Sequence, residues 1–438
     1  MQKVDIRKSS NYKIFMYLLA IFILSRLMMA IMVLVYNSIM GTNHSFAYLM
    51  NPWDAKRYQF IIENGYTYPL DTDPQANWAF FPLYVIVCQL VQLLTFWKLD
   101  TFWVGMIVSN ICIFVGAFFG LKYIFNRNNN DLYNEYSSAQ VHNISDSDYI
   151  SKNTIIWGSL LFAAPYMFYC SSTYTEAMFI MFIALFFYFC QQKKYVVAGI
   201  MSAAASATRI VGCMLVFALI VELYLDFVKS KAISSTKFTF ASKSILKSNS
   251  SSALKSKDTA SSKLSFYEIK KFLYQIFTTP KHLIAILLCP LGTFLYMTFL
   301  RFFCGDVFAF KHVQIAWRED SYIPVIGVLW KACTGQIEPR YTYMGWFCIG
   351  VFVVYGYMIY RKYYSMAVFG IVSLLIPLTS HVMSTCRFIV GSYVFLVGIY
   401  DLINKIKNKF LICIIIMTLA LIELYLLFLW YNSDCWLM

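Results

Sequence analysis

The sequence predicts an all-α protein that crosses a membrane many times. Of its 438 residues, 60% are hydrophobic and only 13% are charged, whereas soluble domains carry roughly 25% charged residues. Apolar stretches recur along the chain, and many approach the roughly 20 residues that a helix needs to cross the hydrocarbon core of a bilayer. We therefore predict a polytopic transmembrane helical protein with about 9–11 spans.

The basic side chains indicate which side of the membrane their loops occupy, rather than binding to nucleic acid. The chain has 36 Lys and Arg against 22 Asp and Glu, a formal net charge of +14. Many of the lysines lie between Lys229 and Lys281, where serines and not aromatic residues separate them. Basic loops of this kind mark the cytosolic side of a membrane protein. The 12 cysteines are scattered singly without metal-ligand spacing, so no metal site is predicted.

The first loop is the decisive element of the topology. Basic residues up to Lys13 place the N-terminus in the cytosol, and a first span at about Tyr12–Tyr36 carries residues 37–78 to the opposite side. A full crossing by the next apolar stretch, Phe80–Phe96, would give the later lysine clusters mixed orientation. We therefore predict that Phe80–Phe96 is an interfacial or re-entrant helix in the first extracytoplasmic loop, which is allowed where it packs against protein.

The remaining apolar stretches then alternate in direction. One of them, Tyr195–Phe227, is 33 residues long, which is too long for one span, so we divide it at Thr208-Arg209. The other predicted spans are Thr101–Phe125, Thr154–Tyr169, Tyr174–Cys190, His282–Phe303, Tyr343–Tyr360, Ser365–Leu378, Phe388–Ile403 and Phe410–Trp430.

This pattern divides the chain into three parts. Residues 1–228 form a predicted N-terminal catalytic transmembrane module, and residues 282–438 form a C-terminal transmembrane module. Between them, residues 229–281 are rich in lysine and serine. A segment with so few apolar residues cannot bury enough surface to order itself, so we predict a disordered cytosolic loop there.

The suggestive polar residues all fall on the extracytoplasmic side of this topology. Ionisable groups at a bilayer edge are costly and tend to face a cavity and a partner, so their convergence predicts one polar site. Asp54 is the predicted catalytic base. The predicted substrate-binding residues are Trp53, Lys56, Arg57, Glu176, Arg209, Asp306, His312, Gln314, His381 and Arg387.

Each of the main candidates has a structural alternative. Asp54 could cap the helix that follows it, and Glu176 could be an interfacial carboxylate near a helix N-terminus. Arg209 could form a structural ion pair with a neighbouring helix. Arg387 could be a snorkelling interfacial residue, and His381 a hydrogen-bonded interfacial histidine.

A carboxylate beside arginines in a cavity at the membrane surface suits group transfer from a lipid phosphate. The carboxylate would deprotonate an incoming hydroxyl, and arginine would bind the phosphate leaving group in a bidentate manner. A transporter or flippase of lipid-linked glycan or phosphate substrates is the main alternative, because it could use the same arginines without a base. A structural subunit of a membrane complex is a third class.

An ordered set of short motifs resembles the PIG-V family of mannosyltransferases, with the later segments similar to its bacterial members. The motifs are Trp53-Asp54-Ala55, Asn64-Gly65-Tyr66, Ala79–Tyr84, Ser172–Glu176, Ala207-Thr208-Arg209 with Gly212, Gly305–Phe310 with Gln314, and Arg387-Phe388.

The resemblance implies a GT-C membrane glycosyltransferase that takes a sugar, mannose in this family, from a polyprenyl-phosphate donor. The acceptor would be lipid-linked or extracytoplasmic. Asp54 matches the first-loop acidic residue proposed as catalytic in GT-C enzymes, and the family suggests roles for Glu176, Arg209, Asp306 and Arg387. Eukaryotic members add the second mannose of the glycosylphosphatidylinositol core in the endoplasmic reticulum.

The bacterial pattern favours the bacterial plasma membrane as the location, and the endoplasmic reticulum membrane would apply in a eukaryote. The expected partners are the sugar donor, the acceptor and membrane lipids, without nucleic acid. A divalent cation is the one cofactor that the superfamily leaves open, and the sequence contains no ligand cluster for one.

Overall fold

The computed structural model describes residues 2–67, 77–135, 146–245, 266–316 and 324–433. Helices make up the regular structure throughout these ranges, and they contain no β-strand. The all-α prediction is therefore confirmed for the described residues. Short 3-10 turns connect several helices, at Asn77–Ala79, Met167–Ser171, Ile210–Met214, Val313–Ala316, Pro339–Tyr341 and Pro377–Thr379.

The first half of the chain contributes nine of the α-helices in these ranges. They are α1 (Gln2–Met40), α2 (Phe46–Leu49), α3 (Asp54–Asn64), α4 (Pro82–Leu94), α5 (Thr101–Glu135), α6 (Asp146–Phe162), α7 (Glu176–Gln191), α8 (Tyr195–Thr208) and α9 (Leu215–Ile245). The second half contributes α10 (Phe266–Thr278), α11 (Pro280–Leu288), α12 (Leu291–Cys304), α13 (Ala309–His312), α14 (Val325–Cys333), α15 (Thr342–Tyr360), α16 (Tyr364–Leu375), α17 (Thr385–Val390), α18 (Val394–Asn404) and α19 (Lys409–Tyr431).

Within the described residues, five helical segments are long and apolar enough to cross a membrane, which is typical of a multi-pass membrane protein. A sixth appears if α11 and α12, which meet at a bend of 49°, form one broken span. The five are Asn11–Met40, Thr101–Arg127, Ile210–Lys231, Pro339–Tyr360 and Lys409–Tyr431.

The count of five or six is below the 9–11 spans expected from the sequence, because several apolar stretches form shorter helices. These are Pro82–Leu94, Glu176–Gln191, Tyr195–Thr208, Tyr364–Thr379 and Val394–Asn404. One of these helices, α8, ends just before Arg209, whose extended backbone (φ −152°, ψ 142°) divides Tyr195–Phe227 at the predicted position.

Helix α4 has only 13 residues, or roughly 20 Å at 1.5 Å per residue, against a hydrocarbon core of about 30 Å. One face of α4 packs against α3 and α5, while Ile86, Leu90 and Leu94 of this helix are exposed. The Tyr84 hydroxyl donates to the carbonyl of Gly105 at 2.8 Å, and the Gln89 amide donates to the carbonyl of Ile62 at 3.1 Å. Its polar side chains are therefore satisfied by α3 and α5.

The two ends of the predicted disordered loop are helical, since α9 continues to Ile245 and α10 begins at Phe266. Apolar contacts explain the order of α10. The ring of Phe272 lies 5.3 Å from that of Tyr224 and 5.8 Å from that of Phe227. The middle of the predicted loop, residues 246–265, lies outside the described residues.

Among the described residues, the main hydrophobic core contains residues from Ile14 to Tyr431, and a smaller cluster forms around Phe81, Tyr296 and Phe310. Helix α5 packs along α7, α19 packs against α1 and α6, and α18 packs against α6 and α15. The two transmembrane modules predicted from the sequence therefore share this core.

Basic residues gather at one end of the bundle. The Arg127 guanidinium lies 3.7 Å from the ring centre of Tyr363, and Arg361 pairs with Asp401 at 2.9 Å. The Lys152 ammonium donates to the carbonyl of Asn404 at 3.0 Å. Helices α5 and α7 run side by side towards this end, so their first turns lie at the other end.

Candidate active site

Four predicted residues form one ion-pair network. Nη1 of Arg387 donates to Oδ2 of Asp54 at 2.8 Å, and Nε of the same guanidinium lies 3.2 Å from Oε1 of Glu176. Nη1 of Arg209 donates to the same Glu176 oxygen at 2.9 Å. The order Asp54–Arg387–Glu176–Arg209 alternates in sign, so the network carries no net formal charge.

Each member of the network stands at or near a helix end. Asp54 and Glu176 are the first residues of α3 and α7, positions where the helix dipole favours a negative charge. Arg209 occupies the extended break after α8, and Arg387 lies in the short helix α17. All four side chains can therefore meet without any of them standing in mid-helix of a long span.

Exposure differs strongly within the network. The Glu176 side chain is 3% exposed, those of Arg387 and Arg209 are 13% and 15% exposed, and that of Asp54 is 34% exposed. The second Glu176 oxygen, Oε2, is buried without a hydrogen-bond partner among the described residues. Glu176 is therefore placed to hold the two arginines, whereas Asp54 is the more exposed carboxylate of the network.

Aromatic rings surround the guanidinium of Arg387. Its Cζ lies 5.4 Å from the ring centre of Tyr169, 5.5 Å from that of Tyr174 and 5.0 Å from that of Phe388. Burial alone would lower the pKa of Arg387, but the facing carboxylates outweigh it and hold the pKa well above its ordinary value. The guanidinium is therefore a permanent positive charge in a largely apolar setting.

The residues just before Asp54 are anchored by the segment just before Glu176. The Tyr174 hydroxyl donates to the carbonyl of Pro52 at 3.1 Å, and the Ser172 hydroxyl donates to the carbonyl of Met50. These bonds connect the start of α3 to the start of α7. They fix the position of the Asp54 backbone relative to the arginines.

Trp53 takes part in the site through packing. It has a left-handed backbone conformation, with φ of 52°, which is strained for a non-glycine residue. Its ring meets Trp430 edge to face at 4.9 Å, and Trp430 also lies 4.7 Å from the ring of Tyr169. The C-terminal end of α19 thus supports both Trp53 and the aromatic wall around Arg387.

Two glycines permit the close approach of the elements that carry the network. A Cβ on Gly391 would lie 3.1 Å from Cγ of Glu176, so α17 can lie directly against the start of α7. A Cβ on Gly212 would lie 2.4 Å from the backbone nitrogen of Ser206, where the chain folds back after Arg209. Gly391 was missed from the sequence because nothing in a single chain marks a contact across 215 positions.

Asp306 and His312 pair with each other at the surface. Nδ1 of His312 lies 2.6 Å from Oδ2 of Asp306, and the two side chains are 61% and 40% exposed. The hydrogen bond with His312 holds the pKa of Asp306 below its ordinary value. The described contacts place neither residue, nor the half-buried Gln314 that follows them, in the ion-pair network.

The segment that carries Asp306 packs on the start of α4. The ring of Phe310 lies 5.6 Å from that of Phe81, and the ring of Tyr296 lies 4.8 Å from Phe81. The Tyr296 hydroxyl also donates to the carbonyl of Trp78 at 2.8 Å. Two of the sequence motifs, Ala79–Tyr84 and Gly305–Phe310, are therefore neighbours in the fold.

The remaining predicted binding residues are Lys56, Arg57 and His381. Lys56 is exposed and lines a separate cavity, and Arg57 is half-buried on α3. Nδ1 of His381 accepts a hydrogen bond from the backbone N–H of Met383 at 3.0 Å, and its ring meets Tyr341 edge to face at 4.5 Å. His381 thus matches the alternative of a hydrogen-bonded histidine.

The alternatives for three of the network residues have different outcomes. The side-chain hydrogen bond of Asp54 is made to Arg387, and Trp53 occupies the cap position of α3. Arg387 is buried against two carboxylates, so the snorkelling interpretation is wrong. Arg209 does form the ion pair with a neighbouring helix that the structural alternative describes.

One partly buried polar pair inside the spans was missed. Nε of Arg26 in α1 donates to Oδ1 of Asn110 at 2.7 Å, and its guanidinium lies 4.5 Å from the ring centre of Phe22. Glu423 in α19 is also buried, at 5% exposure. The signal was present in the sequence, because ionisable residues inside apolar spans are costly and need partners.

The site does not fit a divalent cation. The guanidinium of Arg387 stands between the carboxylates of Asp54 and Glu176, where a cation would need oxygen ligands. Among the described residues, no group of three or more His, Cys, Asp and Glu side chains could hold a metal ion.

No protein-family model matches the chain, and no curated protein matches it significantly. The site combines the accessible carboxylate of Asp54, the two arginines that flank Glu176 and the apolar helices around them.

Proposed function

We propose that the protein is a GT-C-type membrane glycosyltransferase that moves a sugar, with mannose as the first candidate, from a polyprenyl-phosphate donor to a lipid-linked or extracytoplasmic acceptor. One observation carries the proposal. An accessible carboxylate, Asp54, contacts a buried arginine, Arg387, at one end of a bundle of apolar helices. The motif resemblance to PIG-V mannosyltransferases points to the same reaction.

In this reaction Asp54 takes the proton of the acceptor hydroxyl. The acceptor oxygen forms a bond to the anomeric carbon while the bond from that carbon to the donor phosphate oxygen breaks. The bonding electron pair leaves with polyprenyl phosphate, which is a stable anion and needs no acid. Arg387 and Arg209 would bind this phosphate, since guanidinium groups match its oxygens in pairs.

The contacts within the network indicate how the phosphate of the donor would bind to the two arginines. A guanidinium has five N–H donors, and the carboxylates contact one nitrogen of Arg209 and two of Arg387. A donor phosphate would use the remaining N–H groups and compete with Asp54 for Arg387. Asp54 is the most exposed member, so it would be released first and left facing the acceptor hydroxyl.

The shorter apolar helices extend this proposal to the topology. We assign α4 as an interfacial or re-entrant helix, because it packs on α3, the helix that carries Asp54, and a full crossing would give the later lysine clusters mixed orientation. The other short helices would supply the additional crossings of the 9–11 expected, each together with an adjoining turn or helix, as α17 and α18 would over residues 385–404. A bacterial plasma membrane is the favoured location, with the endoplasmic reticulum membrane as the eukaryotic equivalent.

The test is made on purified protein in liposomes that contain polyprenyl-phosphate-mannose and an extract of candidate lipid acceptors. A transferase consumes the donor, releases polyprenyl phosphate and labels an acceptor lipid in equal amounts. Movement of intact donor between leaflets without consumption would contradict transfer and favour a flippase. If the donor is neither consumed nor moved, a structural role is favoured instead.

A further inference from the structure

A polar cavity of about 230 Å³ lies beside α3, separate from the ion-pair network. Helix residues are spaced by about 100°, so Lys56 points about 200° away from Asp54 on the same helix. Lys56 lines the cavity, and Asp54 does not. The polar side chains that line it include Tyr36, His44, Tyr48, Asn51, Lys56 and Asn432.

The cavity lies at the end of two candidate spans. Asn11–Met40 and Lys409–Tyr431 both finish next to it, and Tyr36 and Asn432 come from these two ends. The Tyr36 hydroxyl donates to Oδ1 of Asn432 at 3.0 Å and joins them. Tyrosines at the ends of apolar helices are typical of the membrane–water interface, so the cavity lies at the level of lipid headgroups.

Hydrogen bonds hold the cavity walls in place. The Asn37 side chain donates to the carbonyl of His44 at 2.9 Å and accepts from the His44 backbone N–H at 3.0 Å. The His44 ring then stacks on Tyr48 at 4.4 Å. On the other wall, Asn51 and Gln59 exchange two amide hydrogen bonds of 3.0 and 2.7 Å.

The charge of the lining favours an anion. Among the described residues that line the cavity, Lys56 is the one formal cation, and none is a carboxylate. Oδ1 of Asn432 accepts from the Tyr36 hydroxyl, so the NH2 group of the same amide can donate a hydrogen bond to a ligand. Tyr48 is 62% exposed, and its hydroxyl is a further donor.

We propose that this cavity binds the phosphate-bearing headgroup of a membrane lipid, with Lys56 as the counter-charge. The ligand chemistry is a phosphate anion, and the position at the ends of two spans favours a lipid over free phosphate as its source. The proposal does not depend on sugar transfer, because the cavity and the ion-pair network use different faces of α3.

The test measures the melting temperature of the purified full-length protein in detergent during titration with phosphatidylglycerol, diacylglycerol or inorganic phosphate. We expect saturable stabilisation by phosphatidylglycerol and none by diacylglycerol. Lys56→Gln is expected to weaken the apparent affinity about tenfold, as loss of one charged hydrogen bond predicts. Lys56→Arg should retain it, and Lys98→Gln, which alters an exposed lysine outside the cavity, should match the unmodified protein.

Three outcomes would overturn the proposal. Diacylglycerol could stabilise as well as phosphatidylglycerol, or Lys56→Gln could bind phosphatidylglycerol like the unmodified protein. Stabilisation by inorganic phosphate with no effect of the lipid would identify a soluble ligand instead. Native mass spectrometry of the same variants gives a second readout, in which Lys56→Gln is expected to retain less phosphatidylglycerol than Lys98→Gln.

Discussion

Arg387 and Asp54 are 333 positions apart in the chain, yet their side chains form an ion pair of 2.8 Å. This contact joins the first loop to the short helix α17. Glu176 and Arg209 continue the network and, like Asp54, belong to the predicted N-terminal module. Arg387 belongs to the C-terminal module, so the site combines residues from both. The chemistry that we propose therefore requires the folded chain as a whole.

Arg387→Gln is expected to destabilise the protein by about 3 kcal/mol, because it removes one of two charges that offset the buried carboxylate of Glu176. The measurement is chemical or thermal unfolding in detergent. Arg301→Gln, at an exposed arginine of α12, is the matched control and should change stability little.

Combining Arg387→Gln with Glu176→Gln should cost less than the sum of the two single variants. The double variant removes the unpaired carboxylate that makes the Arg387 change costly, and directly contacting residues commonly couple by about 0.5–3 kcal/mol. The same unfolding experiment measures this. Strict additivity would show that the 3.2 Å contact contributes nothing to stability.

Arg209 is expected to affect donor binding. Arg209→Gln should raise the KM for the polyprenyl-phosphate sugar roughly tenfold or more, because a charged hydrogen bond to phosphate is lost. Arg209→Lys keeps the charge but not the paired N–H groups, so its KM should lie between those of the unmodified protein and Arg209→Gln. Initial rates over a range of donor concentrations give the answer. An unchanged KM in both variants would remove Arg209 from the donor site.

Tyr174 is expected to act as a positioning residue. Tyr174→Phe keeps the ring beside Arg387 but removes the bond to the carbonyl of Pro52, with an expected cost of about 1 kcal/mol in stability. If this bond positions Asp54, kcat should fall while the KM for the donor stays constant. Equal changes in both constants, or none, would argue against a positioning role.

The position of α4 can be tested by chemical labelling. Trp97 and Leu99 follow α4 and are exposed, so cysteines placed there in a cysteine-free background should react with a membrane-impermeant reagent from the extracytoplasmic side. Lys194→Cys is the cytosolic control, because Lys194 is exposed and follows the C-terminal end of α7, opposite the end that carries Glu176. Labelling at positions 97 and 99 only from the cytosol would contradict the re-entrant assignment.

Part of the fold could be predicted because composition and helix breakers are local signals. The apolar content predicts helices, and Arg209 marks the division of Tyr195–Phe227 that the structure contains. The number of full-length spans could not be predicted, because apolar stretches such as Glu176–Gln191 end after 16 residues and are buried by neighbours. The ordered α10 depends on distant contacts of Phe272, which the local composition does not reveal.

The candidate site, like the fold, could be predicted only in part. The members of the network were predictable because a charge near an apolar span needs a partner. Their pairing was not, since any of the candidate carboxylates could have faced Arg387. Lys and His commonly bind ligands, so residue type alone made Lys56 and His381 candidates. In the structure Lys56 lies on a different face of α3 from Asp54 and lines the separate cavity. His381 accepts a hydrogen bond from the backbone of Met383.

The most direct test of the account is the rate of sugar transfer by Asp54→Asn under saturating donor. Loss of the base should lower the rate roughly 100-fold to 10,000-fold, while the unfolding transition shows that the variant is folded. Glu63→Gln, at an exposed carboxylate on the same helix, should transfer sugar at the unmodified rate. Transfer by folded Asp54→Asn at a rate near that of Glu63→Gln would contradict the central claim that Asp54 is the catalytic base.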